Sequence, residues 1–476
     1  MMPGTTPPAV LAVIALAVPM TVIAVAQEAQ TLTPMWETAA TVIFPLEDLL
    51  KEGRMPVSVK ADGGVSLQMI DLATGKALWQ VQAPGKVEGT NHVDGVLVVG
   101  YGDRLVAHRA TDGEVLWERE LEGRLERGAG LPPEFAQSQW FQDVRTGPQG
   151  TGGTILSHAG HVYCSIRGTI YCLDPATGGI IWQTKAGFSI YHPPVGVANL
   201  VAIATARGIV ALDCESGQPV WNNALSMAAP VLGEGDELYA GNTRGLCRLD
   251  TGSGETRWQA AVRVTPGLKL QLTETRIVVS GNRSVAVVGR ESGQILGQAQ
   301  TFCNPALDGD LLLYAPQQAQ RIDCISVAEM ASAWQAPCQC PNPDRILVGG
   351  NVAVVLSPLR LCAYSVQDGA PLWELAAPAG RLFRTEARAI DDSVVFTHAD
   401  ESLVGLDLSS GAETVQVAGE FFGVDWMRAL DGCLLVHSGR DDGSLGAIRY
   451  RPATAAPTEG QPLEARIGPH ARRRPG

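Results

Sequence analysis

The stretch Leu173–Trp182, LDPATGGIIW, constrains the fold of this chain more than any other, because copies of it recur along most of the 476 residues. Thr169 to Asp174 alternates as a short strand, Pro175 to Gly178 carries turn residues, and Gly179 to Lys185 resumes a strand pattern that contains the tryptophan. That order reads as a β-hairpin. The turn glycine takes a positive φ without a Cβ clash, and the tryptophan supplies the largest apolar surface of the unit.

The copies in order are Asp71–Trp79, Arg109–Trp117, Asp174–Trp182, Asp213–Trp221 and Asp250–Trp258. Weaker ones follow at Gly289–Gly297, Ser365–Trp373 and Asp407–Val415, with Trp334 marking a unit that has no glycine. Tryptophan closes seven of these nine units, so seven of the ten tryptophans stand in one register. Closing positions lie 37 to 42 residues apart, except for a gap of 65 between Trp117 and Trp182. Within one period, PVGVA, NLVAIAT, GIVALD and PVW give four strands. A period near 40 with four strands predicts an all-β propeller, since a lone four-stranded sheet buries little and stacked blades cover both of its faces.

The Asp, Thr/Ser-Gly and Trp pattern, with a small residue two before the Asp (Cys172, Ala211), is similar to the tryptophan-docking motif of pyrroloquinoline-quinone-type β-propellers over roughly residues 57 to 451. The resemblance implies that Trp79, Trp117, Trp182, Trp221, Trp258, Trp334 and Trp373 dock onto neighbouring hairpins, and that the ring has eight blades. The hairpin count favours nine, and the residues from Thr41 to Arg451 hold nine or ten units once the long gap is set aside. Eight is the expectation adopted here. The family contains both quinoprotein alcohol dehydrogenases and non-enzymatic scaffolds of outer-membrane assembly, and the motif is common to both.

Ala9 to Ala26 is an apolar run ending in Ala24-Val25-Ala26, which reads as a signal peptide over 1–26 and places the protein in the periplasm or outside the cell. The first eight residues carry no Lys or Arg, so an uncleaved membrane anchor is the alternative. The first cysteine is Cys164, which excludes a lipid-modified cysteine after the signal. Residues 27–56 show no repeat, but Thr41 to Leu46 is apolar enough to supply a strand completing the last blade and closing the ring. Residues 452–476 read as a disordered tail. No other stretch is long and apolar enough to span a membrane, and a net charge of −13 argues against nucleic acid as partner. The disc is expected to be a monomer.

The 65-residue gap holds an insertion at about 120–153 with an aromatic cluster, Phe135, Trp140 and Phe141. These residue types suit a partner contact, and equally suit packing of the insertion onto the disc. Cys338 and Cys340, between Pro337 and Pro341, are the candidate disulfide or redox pair among ten cysteines. His158 and His161 flank Ala159-Gly160 and would face each other as half a metal site, but with no third ligand nearby in sequence they read as hairpin-surface residues and no metal site is expected. The dehydrogenases of the resembled family carry adjacent cysteines over the quinone and acidic and amide calcium ligands. This chain has no Cys-Cys dipeptide and no CxxCH haem motif. The reading adopted is an exported non-catalytic scaffold without cofactor, acting through blade-end loops on a protein or envelope partner. The alternatives are a dehydrogenase dependent on pyrroloquinoline quinone and calcium, and a small-ligand or glycan binder using the central channel.

Overall fold

In the repeat hairpins the first aspartate builds the turn. Asp71 Oδ1 accepts bonds from the Thr74 amide and hydroxyl, both at 2.8 Å, and Asp174 with Thr177 and Asp213 with Ser216 repeat the arrangement. The Thr177 and Ser216 hydroxyls hold the Asp174 and Asp213 carboxyls below the usual carboxylate range. The stability this lends is present above the unfolded carboxylate pKa of about 4, and it is lost as pH falls through the lower folded values. The glycine four residues after each aspartate then turns the chain with a positive φ, +65° at Gly178.

A computed structural model describes residues 30–449 apart from 62, 122–154, 167, 186–193, 206, 226–228, 243, 263–268, 282, 318, 378–382, 391–392, 399–402, 418–423, 431–432 and 439–442. Among the described residues, apart from one short helix, Glu47–Lys51, the regular elements are strands, and they form ten sheets. Eight are four-stranded antiparallel meanders of consecutive strands, spanning 42–82, 89–120, 155–185, 195–223, 229–260, 269–300, 306–337 and 345–376. The ninth, 383–417, gains a fifth strand, Gln30–Leu32, parallel to Glu413–Val417. The tenth takes three strands from 424–449 and its outer one from Trp36–Ala39, antiparallel to Ser444–Arg449.

Middle strands such as Val96–Tyr101 and Leu200–Thr205 are buried along their whole length, as expected when both faces of a sheet are covered. Ten apolar clusters lie between successive sheets, one per interface. One of them packs Leu445 of the tenth sheet with Met55, Val57 and Ile70 of the first, so the ten sheets close into a ring. At this seam His437 Nε2 lies 2.9 Å from the Ala40 carbonyl, and Arg428 donates to Glu47 at 2.8 Å.

The all-β propeller expected from the repeat is the fold observed, but the number of sheets exceeds eight. The nine counted hairpins, the last of them Asp407–Val415, account for nine sheets, and eight was the number implied by the resemblance. The tenth sheet has no hairpin of its own, because its outer strand and tryptophan, Trp36, come from the opposite end of the chain. The expected closing strand is also displaced. Trp36–Ala39 completes the tenth sheet, whereas Val42–Ile43, inside the Thr41 to Leu46 segment, opens the first sheet beside Arg54–Ala61.

One interface breaks the repeat in a compensated way. Position 297, where tryptophan belongs, is glycine, and position 330, where the turn glycine belongs, is Met330 at φ +54°. A Cβ on Gly297 would stand 3.0 Å from Met330 Cε, so the methionine occupies the space an indole would fill. Gly297→Trp alone is therefore expected to destabilise the fold by about 1–3 kcal/mol through overpacking. Adding Met330→Gly should restore most of that loss. Urea midpoints of both single variants and the double variant measure the coupling, and additive effects would remove this reading.

Candidate partner-binding surface

The outer strand of each sheet divides its side chains between the neighbouring sheet and the rim. Trp79, Trp117, Trp182, Trp221, Trp258, Trp334 and Trp373 are each 7–9 % exposed. Each indole Nε1 donates to a carbonyl of the following hairpin: those of Ala110, Pro175, Cys214, Thr251, Arg290, Val366 and Leu408, at 2.7–3.1 Å. Each ring lies flat over a turn glycine, Gly254 in the case of Trp221, where a Cβ would come closer than the 3.0 Å that real Cβ atoms respect. Trp36 rests on Gly75 in the same manner.

The residues just before these tryptophans point the other way. Six of the seven exposed large apolar side chains among the described residues are Met35, Leu78, Val115, Ile180, Ile181 and Val220. Met35, Leu78, Ile181 and Val220 directly precede a tryptophan, and Val115 and Ile180 stand two before one. They belong to the tenth, first, second, third and fourth sheets, which are consecutive around the ring. The next equivalent position is Arg257, ion-paired to Asp250, so the apolar arc stops at the fifth sheet. Scattered apolar residues are ordinary on a surface, but exposed apolar side chains at the same place on five consecutive sheets are the composition of an interaction site. Reading the position before each tryptophan as a column, Leu78, Ile181 and Val220 against Arg257, would have shown the arc in the sequence.

The other candidate residues are placed as follows. Phe135, Trp140 and Phe141 lie outside the described residues. Cys338 and Cys340 are free thiols, and the nearest sulfur to Cys340 Sγ is that of Cys362, at 3.0 Å. Sequence reading missed Cys362 because it is 22 positions away, on the strand Arg360–Ser365, whereas Cys340 lies in the loop after Pro337. His158 and His161 do pair across their hairpin, but His158 Nε2 lies 2.9 Å from the Ala198 carbonyl, and its ring covers Gly196 of the next sheet. Among the described residues no three His, Cys, Asp or Glu side chains are grouped to hold a metal ion. No described helix is long and apolar enough to cross a membrane.

No curated protein matches the chain in sequence. Among solved structures it is similar to BamB from Moraxella catarrhalis, with 18% identity over 62% of this chain and 96% of that one and a TM-score of 0.40. It is also similar to the computationally designed Ika8 protein, at 10% identity over 78% and 99% and a TM-score of 0.38. A third is the quinohemoprotein alcohol dehydrogenase from Comamonas testosteroni, at 13% identity over 80% and 77% and a TM-score of 0.36. The family model for outer membrane protein assembly factor BamB matches residues 15–130, 133–336 and 281–420. With a match over most of its length, the chain belongs to the BamB family of outer membrane protein assembly factors.

Proposed function

We propose that this protein is an exported, non-catalytic propeller scaffold that binds a protein partner of the cell envelope. The observation that carries the reading is the apolar arc from Met35 to Val220 across five consecutive sheets. Leu78, Val115, Ile180, Ile181 and Val220 sit on strands fixed by a buried tryptophan one or two residues later, so little conformational entropy is lost when a partner covers them. The sequence alone placed the contact on blade-end loops and on the insertion at 120–153, whereas the described surface favours the rim. Membership of a family described by outer membrane protein assembly supports an envelope partner, and the apolar segment at Ala9 to Ala26 supports export.

The test places a photo-reactive residue at Ile181, at Val220 or at Arg257 in the full chain and exposes each to an envelope fraction of the source cells. The expected result is one protein adduct from the first two positions and none from Arg257. Ile181→Glu should weaken capture of that protein about tenfold, the scale of a truncated hot spot, with unchanged circular dichroism. Equal labelling at all three positions, or none, overturns the rim assignment. Calcium-dependent binding of pyrroloquinoline quinone at micromolar affinity or tighter, measured by calorimetry, overturns the non-catalytic assignment.

A further inference from the structure

The contact between the seventh and eighth sheets differs from the other nine in its sulfur content. Its core holds Cys303, Cys324, Cys340 and Cys362, with Cys338 packed against it. Cys340 and Cys362 are buried, whereas Cys338 is half-buried and is the thiol of this group nearest to solvent.

Cys340 Sγ lies 3.0 Å from Cys362 Sγ, 3.3 Å from the Val355 carbonyl and 3.4 Å from the Arg360 carbonyl. One S–H proton cannot serve three acceptors, so the sulfur is held by its position in the fold. Cys338 Sγ lies 3.6 Å from the Cys340 carbonyl on the other side of the same turn. Tyr364 fixes that turn: its hydroxyl donates to the Pro337 carbonyl at 2.9 Å and accepts the Gln339 amide at 3.4 Å. Three sulfurs therefore run from the surface inward in the order 338, 340, 362.

We propose that Cys338, Cys340 and Cys362 form a thiol relay that takes oxidation from an external disulfide and stores it as a buried Cys340–Cys362 bond. The Cys338 thiolate attacks one sulfur of the external disulfide RS–SR, whose S–S bond breaks and releases one thiol. Cys340, losing its proton to solvent, attacks the Cys338 sulfur of the mixed disulfide and releases the second thiol. Cys362 loses its proton in turn, attacks Cys340 and returns Cys338 as a thiolate. Two protein thiols become one disulfide, one external disulfide becomes two thiols, and no other oxidant enters. A bond between residues two apart is strained, which favours the last transfer.

The surroundings match these roles. Hydrogen bonding from Cys340 holds Cys338 below the ordinary thiol range, as an attacking thiol requires. Burial pushes the neighbouring Cys303 up to about 12 and Cys324 up to about 11, and hydrogen bonds with Cys338 and Cys362, together with burial, push the Cys340 thiol up as well, so Cys340 gives up its proton only as it attacks the mixed disulfide at Cys338.

The experiment treats the reduced full-length chain with oxidised glutathione, quenches with acid, alkylates and maps peptides by mass spectrometry. Trypsin releases 322–345, which holds Cys324, Cys338 and Cys340, apart from the Cys362 peptide that begins at Leu361, and fragmentation of the linked pair assigns which of the three is bonded to Cys362. The expected product is that linked pair with two glutathiones released per chain. Cys338→Ser should slow its formation about tenfold and leave the final product unchanged. Cys362→Ser should halt the relay with Cys338 joined to Cys340 or to glutathione. Recovery of Cys340 and Cys362 as alkylated free thiols in the unsubstituted chain overturns the proposal, and so does an unchanged rate in Cys338→Ser.

Discussion

Trp221→Ala is expected to lower the unfolding free energy by about 3–5 kcal/mol, the usual cost of truncating a buried aromatic. The indole lies between the fourth and fifth sheets with Leu238, Ala240 and Cys247, over a glycine that has no Cβ to push it away. Its Nε1 donates to the Thr251 carbonyl at 2.7 Å. Truncation removes the apolar contact, opens a void and leaves that carbonyl without its donor. Trp221→Phe separates the parts, because it keeps most of the ring and loses the hydrogen bond, for which about 1 kcal/mol is typical. Val220→Ala, one residue away on the rim, should fall within about 0.5 kcal/mol of the parent. Chemical denaturation reads all three. A loss below about 1 kcal/mol for Trp221→Ala would mean that the indoles do not hold the sheets together.

The second large effect is expected at Glu237, where the fifth sheet meets the sixth. This carboxylate is 6 % exposed and lies between two guanidinium groups. Arg290 Nε donates to Glu237 Oε2 at 2.7 Å, and Arg248 pairs with Oε1 at 3.0 Å. Arg290 also donates to the Thr273 carbonyl at 2.7 Å, and its own carbonyl receives Trp258 Nε1. Removing the acid leaves Arg290 without a carboxylate partner beside a packed indole and Arg248 with Glu291 alone, at 2.8 Å, so Glu237→Ala should cost about 3 kcal/mol. Glu237→Gln keeps the shape and part of the hydrogen bonding, and it should cost clearly less. Equal losses in the two variants would assign the effect to packing and remove the electrostatic account.

The hairpins were legible because each residue of the repeat performs a local task that leaves little choice of side chain. Aspartate caps the turn, glycine takes the positive φ and the flat contact, and tryptophan supplies the stacking surface. Nine of the sheets were legible as hairpins, and the expectation of eight came from the family resemblance. The tenth was not legible, because Trp36 joins a sheet whose other strands begin nearly four hundred residues later. Periodicity within a window does not see that event. The apolar arc was missed for a related reason. Val220 looks like any strand residue until it is known that its face of the outer strand meets no further sheet. The sulfur relay was half visible, since Cys338 and Cys340 announce themselves by spacing and Cys362 joins them only through the turn between two strands.

Closure by Trp36–Ala39 also sets an order of events. The contact of His437 with Ala40 spans 397 residues, and that of Arg428 with Glu47 spans 381. During synthesis the closing strand emerges first, but the strand it pairs with, Ser444–Arg449, emerges near the end. The first eight sheets can form as their own residues become available, since each draws only on consecutive strands. The last two cannot be completed locally, and the edge at Ser444–Arg449 stays unpaired until the beginning of the chain returns to it. Folding of this ring is therefore a local process with a single non-local final step. A chain released before residue 449 should accumulate as an open ring with two unmatched edges.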